Sequence, residues 1–307
     1  MRGTGLLVLI LLAGLTGCSP QSSSNNDTKD GVEYDWSYKA EVNYETGEIV
    51  LPVEKYYLSS DDLGDVFGAR THFMIQCQNA KGIDIPWRLP SGSTDLEDRR
   101  FGFWLLRNAE TFGFTLPRSP EDVATLEADA KWAESHVNDQ AWQDAANEAT
   151  AECGKESQAE ELDLANIPAP PAFDLGVLDL ALESAEAKTV FADWEKCLND
   201  NGLERDLDMS LFAVKGVSYE VADEQSIKAA VINAQCKADT DYTQRMADIM
   251  AAAQGPFVKK HEAELQEYYD AQLVVLGKAR DYLAKNVPEW YEVRQAGVAA
   301  RQNGASK

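Results

Sequence analysis

"DWEKCLNDNG" (193–202) and "FMIQCQNAKG" (73–82) decide how this chain folds, because the two stretches are one pattern written twice. Each places a cysteine five residues before a glycine: Cys77 before Gly82, and Cys197 before Gly202. A glycine just past a run of helix formers is a helix stop, since it enters left-handed backbone without a steric cost. Each stretch is followed further along by an alanine-rich helical run that carries a second cysteine, "AANEATAEC" (145–153) at Cys153 and "AAVINAQC" (229–236) at Cys236. An internal duplication, or two copies of one local device, accounts for this. Each half would staple the end of one helix to the middle of another, and small alanines allow the close backbone approach that a disulfide needs.

Of the connectivities open to four cysteines, the repeat favours Cys77–Cys153 and Cys197–Cys236, with none crossing between halves. An oxidising, extracytoplasmic compartment is then expected, because even sets of cysteines pair there. "ANIPAPPAF" (165–173) is the proline-rich interruption between the halves.

The helical reading extends through most of the chain. From Ser60, residues Leu63, Phe67, Thr71, Met74 and Gln78 recur at helical spacing until Gly82. Ser119-Pro120-Glu121-Asp122 reads as a helix start, with a break near Asn138 before the run to Cys153. A long helix is expected from about Ser226, broken near Gly255-Pro256. Its last part carries Leu265, Tyr268, Val275, Leu276, Ala279 and Leu283 on one stripe, a packing surface. Upstream, β-branched and aromatic residues flank Glu45-Thr46-Gly47, which reads as a hairpin or extended arm. The expected fold is mainly α, a disulfide-stapled helical domain of two similar halves with a short N-terminal β-hairpin or arm.

The fifth cysteine has a different setting. Met1-Arg2 and the apolar run Leu6 to Leu15 form a signal-peptide pattern, too short for a permanent membrane span. Leu15-Thr16-Gly17-Cys18 then resembles a bacterial lipobox, in which the cysteine is diacylglycerated and becomes the new N-terminus. Two acyl chains give stable anchoring where one does not. Residues 1–17 are therefore read as a lipoprotein signal peptide, and 18–31 as the lipidated Cys18 with a polar tether. The first helical half follows at 32–164, then the connector at 165–173 and the second half at 174–307. The bilayer is the expected partner through Cys18, at the extracytoplasmic face of the cell membrane.

With 52 acidic against 28 basic residues and a formal charge of −24, the surface repels nucleic acid and anionic headgroups. Neither DNA nor RNA is an expected partner. The motifs of catalysis lack their contexts. "DTDYT" (239–243) matches an aspartyl-nucleophile phosphatase motif, but a helical stretch precedes it instead of a buried strand. "HEAEL" (261–265) has Leu265 where a zinc-binding helix needs its second histidine. "GVSYE" (216–220) lacks the second glycine of a nucleophile elbow. No metal, cofactor or catalytic residue is expected, and the chain reads as a binding protein. "RRFGFW" (99–104) is the one unusual recognition composition, a candidate patch of Arg99, Arg100, Phe103 and Trp104. The competing reading puts the aromatics in the core and pairs the arginines with acidic helices.

"YETGEIVLPVEKYYLS", "MIQCQNAKG", "RRFGFWLLRNAETFGFTLP", "WEKCLNDNG" and "AAVINAQCKAD" together resemble a family of exported proteins and lipoproteins of Actinobacteria. Its members carry "tG.I.LP", "CM…G", "R.YG" and "GY..P" elements at similar relative positions. Gln78 replaces the methionine usual after the first cysteine, and Phe101 and Phe112 stand where tyrosine is frequent. The family supplies no catalytic residues. Some members accompany ABC transporter components, so the resemblance implies an accessory role in the envelope. A solute-binding lipoprotein for uptake and an envelope hydrolase with an unrecognised carboxylate pair are the rival expectations.

Overall fold

The computed structural model of the chain describes residues 26–29, 31–86, 97–116 and 120–304. Helix makes up 64% and strand 5%, so the fold is mainly α. Two antiparallel hairpins lead: β1 (Asn26–Lys29) pairs with β2 (Val32–Asp35), and β3 (Glu41–Asn43) with β4 (Glu48–Val50). Then come α1 (Ser60–Ala80), α2 (Leu106–Phe112), α3 (Pro120–Glu134) and α4 (Gln140–Ala159). After the connector follow α5 (Gly176–Leu182), α6 (Ala185–Asp200), α7 (Glu224–Asp239), α8 (Tyr242–Asn286) and α9 (Pro288–Gly304).

The β3–β4 hairpin is the one expected around Gly47, which takes a positive φ of 79° in the turn. β1 was not expected. It lies inside the stretch read as tether, and its four residues pair antiparallel with β2, whose Val32 and Tyr34 are buried. Backbone pairing asks nothing of apolar side chains on the outer strand, which is why a polar sequence can supply one. The Ser119 cap lies outside the described residues.

Both halves of the cysteine repeat end their first helix with one hydrogen-bond pattern. Gly82 N–H donates to Asn79 O and Ile83 N–H to Gln78 O; Gly202 N–H donates to Asn199 O and Leu203 N–H to Leu198 O. Both glycines have positive φ, 87° and 78°. This double closure satisfies carbonyls that a helix C-terminus leaves open. Each cysteine therefore sits one turn inside a fixed helix end, and each is bonded within its own half. Cys77–Cys153 has its Cα atoms 5.8 Å apart, and Cys197–Cys236 5.6 Å. Cys153 and Cys236 are both buried on helices whose nearby Ala149, Ala230 and Ala234 are also buried.

The cores do not respect the connector. α8 is the spine, two helical arms that meet at His261. The face from Tyr242 to Ala253 packs with α5, α6 and α7, and also with Tyr34, Leu51, Phe101 and Phe114 from before the connector. Further along α8, Val275, Leu276, Ala279 and Leu283 pack with Val66 and Ala69 of α1 and with Leu162. Between these, Phe173 at the end of the connector meets Phe257 edge-on.

Pro256 does not break α8; the one non-helical residue inside it is His261, with φ −115° and ψ 15°. The run before the proline, Ile249 to Gly255, is buried and includes three successive alanines. Packing on every side holds that turn helical and moves the departure to the half-exposed histidine. The α1 stripe is met only in part: Leu63 packs against the core and Gln78 is buried, but the rest of the inner face lies elsewhere. Phe67 is 56% exposed, while Asp65, Val66, Gly68, Ala69 and His72 face inward.

Asp65 is the charged member of this inner face. It is 1% exposed and accepts from Arg280 Nε at 3.0 Å, Arg294 Nε at 2.7 Å and Gln295 Nε2 at 3.4 Å. One carboxylate thus ties α1 to both α8 and α9. Gly68 lets α9 come close: a Cβ there would stand 2.7 Å from the Trp290 ring. An Asp65→Ala change leaves Arg294, 15% exposed, without its carboxylate. We expect a loss of about 3 kcal/mol, the lower end of the range for a broken buried pair, because Arg280 keeps Asp62 and solvent. Urea unfolding reads the total, and faster amide exchange across 288–304 locates it. A loss under about 1 kcal/mol, typical of a surface pair, would contradict this role.

Candidate functional site

Cys18 lies outside the described residues. The four cysteines that are described are spent in two disulfides, which leaves Cys18 as the odd one of five.

The "RRFGFW" stretch is turned inward. Phe101 and Trp104 are 0% and 4% exposed, and Phe103, Arg99 and Arg100 are half-buried. Trp104 Nε1 donates to Asp98 O at 2.6 Å. Arg100 is clamped by Asp98 at 2.5 Å and Glu54 at 2.9 Å; burial alone would lower its pKa, but these carboxylates hold it above the ordinary value. Arg99 lies 4.2 Å over the Phe103 ring and 3.9 Å from Glu97. The aromatics enter the core as the second sequence reading has it, but the arginines find loop acids and Glu54, not helices. These side chains form a structural knot, with little left to face a partner.

Beneath the knot is a group that sequence reasoning missed. Lys237 on α7 is 1% exposed, and its Nζ donates to Phe101 O at 2.5 Å. The ammonium lies 4.9 Å from the Trp194 ring and 5.1 Å from that of Tyr242. Burial pushes its pKa down to about 7, against the pull of Glu97. Glu97 is itself buried, and desolvation raises its pKa although its Oε2 accepts from Leu105 N–H at 2.8 Å. Gly102 makes the approach feasible. It has a φ of 73°, and a Cβ there would stand 3.1 Å from Lys237 Nζ and 2.9 Å from Phe212 Cβ. Asn233 completes the fastening, donating to Phe103 O at 2.8 Å and accepting from Trp194 Nε1 at 3.2 Å. Irregular backbone inside a core needs such partners. Lys237 reads in sequence as an ordinary charged residue beside Cys236, so no local signal marks it.

"DTDYT" falls at the turn between α7 and α8, with Asp241 in left-handed backbone at φ 51°. That places neither aspartate at the end of a buried strand. His261 pairs with Glu264 at 2.6 Å on the surface of α8. Among the described residues no group of three or more His, Cys, Asp or Glu side chains is arranged to hold a metal.

An open concavity lies over α6. A groove of about 570 Å³ is floored by Phe191 and Ala192, bounded by Leu182 of α5, and walled by Leu207 and Leu211 of the loop after α6. Asp179, Glu183 and Glu195 stand around it, with Lys188 and Arg205. Arg205 is folded into the wall, its side chain 10% exposed and its guanidinium 4.6 Å over Phe191. It donates to Leu211 O at 3.0 Å and reaches Glu195 at 3.5 Å. An apolar floor with a carboxylate rim suits the binding of a cationic, partly apolar group. No helix among the described residues is long and apolar enough to cross a membrane. Comparison with family models, curated proteins and solved structures finds no match to this chain.

Proposed function

We propose that this chain is a lipid-anchored binding or accessory protein at the extracytoplasmic face of a bacterial cell membrane. The carrying observation is the cysteine arrangement. Two disulfides suit an oxidising compartment, and the cysteine outside them is the one that follows Leu15-Thr16-Gly17 and an apolar leader. Service to an envelope or ABC transport system is the concrete form, by the family resemblance. The accessory role fits better than solute uptake, because the strands described are two short hairpins and not the parallel sheets of an alternating strand–helix binding lobe.

Expression in a bacterium that processes lipoproteins tests the anchor. The parent protein should incorporate an alkyne-tagged fatty acid and sediment with membranes, and the Cys18→Ala variant should lose the label entirely. Equal labelling of the variant would overturn the proposal.

A further inference from the structure

We propose that the groove over α6 docks a basic, partly apolar peptide segment of a partner protein. This gives the binding reading above its site and the chemistry of its partner, and it rests on that reading.

The wall of the groove is a fixed loop. Asp206 N–H donates to Ala213 O at 2.9 Å and Lys215 N–H to Glu204 O at 2.9 Å, and Arg205 bridges Val214 across the loop. Asp206 Oδ1 also accepts from Met209 N–H at 3.2 Å. This loop nevertheless holds Leu207 63% exposed, Met209 57% and Leu211 46%. Apolar side chains scattered singly are ordinary, but a cluster held by a closed loop at the edge of a concavity marks an interaction surface.

Charge decides the occupant. Asp206 and Asp208 alternate with Leu207 and Met209, and Asp179, Glu183 and Glu195 edge the groove. Arg205 is turned in and engages Glu195, so among the described lining residues Lys188 is the cation that faces outward, against Asp179 and Glu183. A second copy of this chain would bring the same acids face to face, within a molecule already at −24. Anionic headgroups meet the same repulsion. A segment with two or three apolar side chains flanked by Lys or Arg satisfies both the floor and the rim, with the leucines as anchors and the acids setting encounter rate and specificity.

The test uses the purified full chain and a fluorescent, helical Leu/Lys peptide, with a Leu/Glu peptide of the same pattern. Fluorescence anisotropy should show the Leu/Lys peptide bound and the Leu/Glu peptide not. The Leu207→Ser/Leu211→Ser double variant should bind about tenfold more weakly or worse, as expected for loss of apolar anchors. A Val293→Ser variant, altered at an apolar residue 74% exposed on α9, should bind as the parent does. Both substitutions are at exposed sites, and unchanged circular dichroism verifies their folds. Equal binding by the double variant would overturn the proposal, because the acidic surface at large would then be the binder. Preference for the Leu/Glu peptide would overturn it as well. So would partition of the Cys18→Ala protein onto phosphatidylcholine vesicles through the two leucines, which would assign the patch to the bilayer. Peptide binding is measured without membranes, so its failure leaves the anchor result standing, and the reverse also holds.

Discussion

Between pH 7 and 10 the folded protein gains stability that a Lys237→Met variant does not gain. The lysine has an ordinary pKa of 10.5 and one of about 7 in the folded chain, because burial against Trp194, Tyr242 and Phe101 disfavours the ammonium. Within that window the unfolded chain holds a proton that the folded chain has released. Unfolding therefore becomes harder as pH rises; the cost of burying the group is fully present below 7 and relieved by about 10.5. The full span corresponds to about 5 kcal/mol. Methionine keeps the length of the side chain and removes the charge, leaving Phe101 O without its donor at about 1–3 kcal/mol, independent of pH. The difference in stability between native protein and variant should thus move toward the native protein as pH rises from 7 to 10. Above that range the buried phenols, Tyr242 foremost, whose pKa burial raises, act in both proteins alike and lower stability with further alkalinity. Urea unfolding of both proteins at a series of pH values measures this. Parallel curves would show that Lys237 does not release its proton on folding.

Removing the Cys197–Cys236 bridge by a double change to alanine should lower stability by about 4 kcal/mol, the chain-entropy value for a loop closed across 39 residues. The Cys77–Cys153 bridge, closed across 76, should be worth about the same. What differs is the region that loosens. α4 packs chiefly on α1, so loss of Cys77–Cys153 should raise amide exchange there and leave the rest protected. Cys236 is buried in the main core with Trp194 and Phe101, so loss of the second bridge should also loosen β2 and the segment around Phe101, which precede the connector. Non-reducing peptide mapping should return the two pairs as stated. A cross-connector pair, or four alkylatable thiols in the folded protein, would remove the basis of this expectation.

Covalent and backbone constraints were legible in the sequence. Both Cys-x₄-Gly units specify a helix end, because only glycine takes the positive φ at 82 and 202 cheaply, and the pairing of cysteines followed from that repetition. The α8 stripe of Leu265, Tyr268, Val275, Leu276, Ala279 and Leu283 was legible too, with Leu265 buried in one cluster, the last four in another and Tyr268 half-buried, since large apolar side chains at helical spacing have one sensible face. The α1 face was not. Its interior is Asp65, Val66, Gly68, Ala69, His72 and Gln78, which face inward because α8 covers Val66, Ala69 and His72 while α9 supplies Arg294 to Asp65 and Trp290 to Gly68 from more than two hundred residues away. Pro256 marks a break by every local rule, and tertiary burial moves it five residues on, to His261. Lys237 and the groove have no sequence signature, because each is made by segments that meet only in the fold. Local conformation and covalent pairing depend on near neighbours and can be read along the chain; which face is buried, and which charge loses its water, depends on partners that only folding brings together.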